Sequence, residues 1–331
     1  MLLRRMVLGI GGAALALGCF LGAAAFADGV DAGSFARDGV GGRAFGLGGA
    51  FVSIADDASA TVWNPAGLAQ LDGLSLEAMY TNKFGQDIDF QFVGGCARLG
   101  EFGVGLTLVR SSIDDIPYYG DGEGEVFSET QTLLLGSVAY NLSGALESGA
   151  LLIGGNVKVY THQLLEGTGS GVGVDLSALA EFDTAWGKVR VGVASLDIGN
   201  TALQWTGTDH DPVNYVPWIN KLGGSIWLLD GRLGLVADVD LAFGRSQLNR
   251  LHLGAEYWLV PALGARAGLI VGADGSRQFS GGGTLRWQGF SFDYAYVPHP
   301  ALGASHILSV EFHFPGWWER GSEDEIEQEG L

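Results

Sequence analysis

The chain has 331 residues, a net charge of −19, 47% hydrophobic residues, 55 glycines and two cysteines. The acidity excludes a nucleic-acid binder, which needs Lys/Arg patches to displace counterions, and two cysteines exclude a disulfide framework. Beyond the N-terminal stretch no segment offers about 18 uninterrupted apolar residues, so helical spans are excluded there, and the apolar surface must be placed in another way.

Arg4 and Arg5 precede an uncharged stretch, Met6 to Phe26, rich in Ala, Leu and Gly and ending in Ala25-Phe26-Ala27. A positive start, an apolar middle and a small-x-small end mark a secretory signal peptide, so residues 1–27 are expected to be removed by a cut after Ala27. An uncleaved anchor is the alternative, because the run is long enough to span. A lipoprotein reading through Cys19 meets a poor lipobox in Ala16-Leu17-Gly18. Cys96 then remains, and with no base near it in sequence it reads as a wall residue and not a nucleophile.

Residues 28–72 are dense in Gly and Ala and do not read as strand. The segment Gly41-Gly42-Arg43-Ala44-Phe45-Gly46-Leu47-Gly48-Gly49-Ala50-Phe51 is followed by Asp56-Asp57-Ala58-Ser59-Ala60 and by Trp63-Asn64-Pro65-Ala66-Gly67-Leu68-Ala69. Successive glycines permit positive φ and close backbone approach, which suits a chain packed inside a crowded lumen. Asp57 or Ser59 can cap a short helix through Ala60 and Val62. Asn64 before Pro65 is a cap-plus-first-turn arrangement for a second one. Arg43 is expected to pair with Asp56 or Asp57, since an unpaired Arg shielded from water is costly. These residues are expected to form a plug. Direct ligand contact by Phe45, Leu47, Phe51 or Trp63 is the sharper alternative, because apolar linings with few polar groups suit lipid.

This ordered signature, across residues 41–69, resembles the N-terminus of the PorV/PorQ-type proteins among the FadL-like outer-membrane barrels. The resemblance implies an outer-membrane protein that binds hydrophobic molecules such as long-chain fatty acids and passes them inward past a plug, with release sideways through the wall. The alternative it implies is a PorV-like partner in type IX secretion, with long outer loops contacting cargo and a closed lumen.

From Leu74 onward, segments of about ten residues alternate between apolar and polar or small, as outer-membrane barrels require. Leu233 to Leu241 alternates in this way, with Asp238 and Asp240 on the inner face, and Phe290, Phe292, Tyr294 and Tyr296 do the same. The pattern predicts an all-β, up-and-down antiparallel barrel over 73–314, with about fourteen strands. They are placed at 74–81, 87–99, 101–111, 129–142, 150–162, 171–182, 187–197, 217–228, 231–243, 247–258, 262–272, 277–287, 289–297 and 304–314. Long connections at Ser112–Ser128 and Ile198–Val216 are expected on the outer side, and tight ones such as Asp230-Gly231 on the periplasmic side. Tyr80, Tyr140, Tyr160, Trp186, Trp227, Trp258, Trp287 and Tyr296 sit near strand ends, where interfacial girdles form. The last strand ends in Phe314 and looks like the signal that barrel-assembly machinery reads. Residues 315–331 follow as an acidic periplasmic tail.

Other chemistry is set aside. Gly46-Leu47-Gly48-Gly49 lacks a full dinucleotide-binding fingerprint and a preceding strand. Asp114, Asp115, Asp121, Glu123 and Glu125, and likewise Asp209-His210-Asp211, lack an EF-hand order and read as solvated outer loops. Ser305 and His306, as strand neighbours, face opposite sides and cannot converge. His252, His299 and His313 show no metal spacing. No enzyme, cofactor or metal is expected; the expected partners are outer-membrane lipids, a hydrophobic ligand, assembly machinery and, in the alternative reading, secretion proteins.

Overall fold

The computed structural model describes residues 32–118, 124–145, 149–208, 210, 212–242 and 244–316. The expected signal peptide, Cys19, Asp121, Glu123, Asp209, Asp211 and all but two residues of the acidic tail lie outside the described residues. Among those described, no helix is long and apolar enough to cross a membrane, which leaves strands free to do so.

Sixteen strands form one sheet. The first half comprises β1 (Leu74–Lys83), β2 (Ile88–Leu99), β3 (Phe102–Pro117), β4 (Val126–Asn141), β5 (Ala150–Leu164), β6 (Gly167–Thr184), β7 (Gly187–Leu196) and β8 (Thr201–Thr206). The second comprises β9 (Val213–Val216), β10 (Ile219–Leu228), β11 (Leu233–Leu241), β12 (Arg250–Val260), β13 (Leu263–Gly272), β14 (Arg277–Trp287), β15 (Phe290–His299) and β16 (Gly303–Phe314). Each strand pairs antiparallel with its neighbours, and β1 pairs with β16 from Leu74↔Phe314 to Tyr80↔Leu308, which closes the wall. Fourteen strands make that wall, as the alternation predicts; β8 and β9 form an added hairpin. Closure leaves no unpaired edge between first and last strands.

Outward residues are apolar and inward ones polar or small. On β6, Val172, Val174 and Leu176 are exposed, whereas Gly173, Asp175 and Ser177 between them are buried. The apolar outer face is the surface a membrane barrel turns to lipid. The rim bearing the short turns, with Gly100, Asp230-Gly231 and Gly289, is called the lower rim here; the opposite rim is the upper.

Three expectations need correction. The presumed loop Ser112–Ser128 is mostly strand: pairing of β3 with β4 continues to Pro117↔Val126 through a bulge between Ile113 and Ile116. Backbone pairing outlasts the apolar alternation there, so Asp114 and Asp115 belong to β3 and not to a loop. The presumed loop Ile198–Val216 holds β8 and β9, strands too short to stand out by alternation. Among the presumed girdle aromatics, Tyr160 and Trp258 are buried (1% and 9% exposed), because their strand positions point inward.

Residues 32–73 thread the lumen before β1 begins. Ala32 N–H donates to the Tyr215 carbonyl at the upper rim, and Gly73 lies against the Phe314 carbonyl at the lower. In between come three short helical turns, α1 (Ser34–Arg37), α2 (Gly42–Gly46) and α3 (Ala60–Trp63), and a 3-10 helix, Pro65–Gln70. Phe51, Ile54, Leu47 and Leu68 are completely buried among strand side chains.

Candidate functional site

The residues expected to form a plug lie together in the lumen. Gly48 and Gly49 both have positive φ (67° and 75°), which β-branched residues resist. The Gly48 carbonyl accepts from His252 Nδ1 at 2.7 Å. Leu47 is buried over Gly254, and Phe45 packs more loosely against the upper core. Asn64 caps the 3-10 helix as expected: its Oδ1 accepts from Ala66 N–H at 3.2 Å, and Pro65 occupies the first position. Asn64 Nδ2 donates to the carbonyls of Val52 at 2.8 Å and Ala178 at 3.2 Å, joining the plug to itself and to the wall. Of the two expected caps of α3, the Ser59 side chain makes no cap bond, whereas Asp57 Oδ1 accepts from the N–H and hydroxyl of Ser59, the residue just before the helix.

Arg43 finds both expected acids and a third. It bonds Asp56, stands 3.8 Å from Asp57, and grips Glu256 of β12 through Nε at 3.0 Å and Nη2 at 2.9 Å. Glu256 also accepts from Arg266 at 2.6 Å, and Arg266 reaches Asp293 at 2.8 Å. These wall charges went unassigned in the sequence. A usable signal exists: a charge on the inward phase of an otherwise apolar strand requires a partner. The same signal marks Asp238, which accepts the Val52 N–H at 2.8 Å, and Lys221, which pairs with Asp240 at 2.6 Å. Burial pushes the Asp57 carboxyl up to about 7, with Glu311 the next cause and Arg43 opposing.

Two cavities flank this layer. The upper one, about 30 Å³, has apolar sides including Val62, Trp63, Leu133 and Leu196; its charged lining is Arg37 and Arg250, with the pairs Lys158–Asp197 and Lys221–Asp240. Arg37 Nη1 is buried without a hydrogen-bond partner, and Arg250 is near enough to repel it. The lower cavity, about 90 Å³, is polar, lined by Arg43, Asp56, Asp57, Arg286, Asp293 and Glu311 among others. A stack of rings and cations runs between them. Lys221 sits over Trp63 (5.5 Å), Trp63 meets Phe51 edge-on (6.2 Å), and Arg43 sits over Phe51 (5.4 Å). Three residues singled out from the sequence, Arg43, Phe51 and Trp63, thus form the partition.

The wall changes beside the upper cavity. β6 pairs with β7 only from Leu176 downward and with β8 only at Thr168 to Ser170. Between these, β7 ends and the chain turns inward at Asp197 (φ 54°) across the lumen face of Gly173. Lys158, Tyr160 and Thr201 hold the Asp197 carboxylate at 2.9 to 3.1 Å. Across Gly171–Asp175, among the described residues, the break in the ladder is bridged on the backbone by Ile198 N–H donating to the Val174 carbonyl at 3.0 Å.

A family model described as "Uncharacterised protein family (UPF0164)" matches residues 37–185. No curated protein matches the sequence. Among solved structures, the chain is similar to the Pseudomonas putida toluene transporter TodX (TM-score 0.56, 13% identity, covering 86% of this chain and 98% of that one). It is also similar to the CymD monoaromatic hydrocarbon channel (TM-score 0.55, 15% identity, covering 83% and 98%). At such identities the likeness establishes a shared fold.

Proposed function

We propose that this protein is an outer-membrane barrel for uptake of hydrophobic compounds, long-chain fatty acids among them, with its upper rim outside and its N-terminal segment acting as the plug. Export would use the signal peptide, and the strand ending at Phe314 would engage the assembly machinery. The carrying observation is the upper cavity above the Trp63–Phe51 partition: apolar sides with Arg37 and Arg250 beside them, while the other charges that line it, Lys158 with Asp197 and Lys221 with Asp240, are paired with one another. An apolar tail with an anionic head suits such a lining. Its present volume admits only a water or two, so a ligand would enter by displacing the α1 turn or the partition. The weakly paired stretch Gly171–Asp175 supports release sideways through the wall. The shared fold with the TodX and CymD channels favours passage of hydrophobic compounds.

The test is mass spectrometry of the protein purified gently from outer membranes. A stoichiometric fatty acid or other apolar molecule supports uptake. An empty barrel accompanied by secreted proteins overturns it in favour of the PorV-like secretion partner that the motif over residues 41–69 implies.

A further inference from the structure

We propose that Glu77 and Glu311 form a proton-binding pair in the closing seam of the barrel, and that its occupancy decides how firmly the plug is held to the wall. Glu77 of β1 and Glu311 of β16 are direct cross-strand partners, both on the lumen face. Like charges directly opposite one another in a sheet repel, and two carboxylates sharing a shielded site do not readily ionise together. Glu311 Oε1 accepts from Ser75 Oγ at 2.5 Å. Glu77 is only 6% exposed, and its Oε2 is buried without a hydrogen-bond partner. A proton on one carboxyl removes the repulsion and supplies the missing donor.

The plug is tied to the wall at this same point. Gly41 N–H donates to Met79 Sδ at 3.1 Å, and Gly42 N–H donates to Ser309 Oγ at 3.0 Å. Met79 and Ser309 are themselves register partners, the next inward pair after Glu77 and Glu311. Glu77 Oε1 lies 3.3 Å from where a Cβ would stand on Gly41, so the carboxyl abuts the plug backbone.

The surrounding charges offset the pair only in part, through Arg43 and Arg286 acting on Glu311. The plug adds Asp57, β15 adds Asp293, and β2 brings the Cys96 thiol close. The nearest guanidinium, Arg43, is engaged by Glu256 and Asp56, and Arg266 by Glu256 and Asp293. Arg286 of β14 lines the lower cavity. Among the described residues no salt bridge reaches Glu77. The lower cavity has room for several waters and touches both Asp57 and Glu311, which gives protons access. Loss of the shared proton sets two anions against each other beside the Gly41–Gly42 tie and loosens it; acid tightens it. The inference holds whichever compound the barrel carries.

The test is ion conductance of the full chain in planar phospholipid bilayers, from about pH 5 to about pH 9. Wild-type protein should be quiet in acid and rise about tenfold in open probability toward alkaline pH, the change that one pK unit of coupling gives. E77Q and E311Q should each flatten this rise, because an amide cannot lose the proton. A wild type indifferent to pH, or variants that keep its response, overturns the proposal. Heat-modifiable gel migration checks barrel folding. Should one variant fail to fold, hydrogen exchange of the Gly41–Phe45 amides in wild-type protein decides. Loss of protection at alkaline pH beyond the intrinsic rise supports the proposal, and constant protection overturns it.

Discussion

The carbonyl oxygen of Val52 lies 2.3 Å from where a Cβ would stand on Gly192, so the plug backbone rests directly on the barrel wall. A Cβ on Gly154 would likewise collide with Ala66 N, and one on Gly268 with Gly48 N. The wall glycines are seats for the plug main chain, and only a residue without a side chain permits the approach. G192V should leave the wall closed but lift the plug, at about 1–3 kcal/mol of overpacking. Conductance in planar bilayers should rise while heat-modifiable migration stays unchanged. G48V and G49V should act similarly from the plug side, through positive φ. Silent channels in all three would count against the seating.

Arg43 is the central cation of the lumen network, gripping Glu256 of the wall and Asp56 of the plug. Removing one partner of a buried pair costs about 3–5 kcal/mol, because the other charge is left stranded. R43M should therefore lower the urea midpoint of the refolded protein, and R43M/E256Q should recover part of the loss. A double variant no better than R43M would show that Arg266 alone suffices to compensate Glu256.

Plug docking should weaken as pH rises. Asp57 is pushed from 3.8 to about 7 by burial, so the docked state holds a proton that the undocked state has released. Where the free state binds fewer protons, stability falls with increasing pH. The loss accumulates between about pH 4 and about pH 7 and is complete above. D57N should reduce this slope, leaving the part that the Glu77–Glu311 pair contributes, as read by protease cleavage within residues 38–60 across that range.

If the upper cavity takes an anionic amphiphile, R37Q and R250Q should each weaken binding of a long-chain fatty acid by about tenfold, near the strength of one charge-assisted hydrogen bond. Binding of a neutral aromatic such as toluene should hardly change. Isothermal titration in detergent distinguishes the two, and equal losses for both ligands would remove the carboxylate-binding role.

The wall was legible because lipid and lumen impose opposite demands on neighbouring residues, so period-two alternation marks its strands wherever they face both, and fades only at ends such as those of β3 and β4. Val172 to Ser177 alone states which face is which. The plug was legible through Gly48, Gly49 and Asn64-Pro65, whose backbone requirements are local. Partnerships across the lumen were not. Arg43 and Glu256 are far apart in sequence, and nothing in either segment names the other. The Glu77–Glu311 pair depends on register at the seam, which only closure defines. Short strands such as Val213–Val216 escaped because four residues carry too little alternation to separate from a loop.

The seating of plug on wall also dictates an order of assembly. Phe51 and Trp63 are buried inside the closed wall, packed among other plug residues and against Val236 of β11. To reach their seats from the upper rim of a closed wall, such rings would have to pass the side chains that fill the lumen. Loading of the lumen while the wall is still an open sheet is therefore the expected order. The pairing of Leu74 with Phe314 joins the two ends of the sheet, and contacts of such separation form late. Biogenesis thus ends with a zipper drawn shut over finished contents, and a chain that closed early would be trapped as an empty tube.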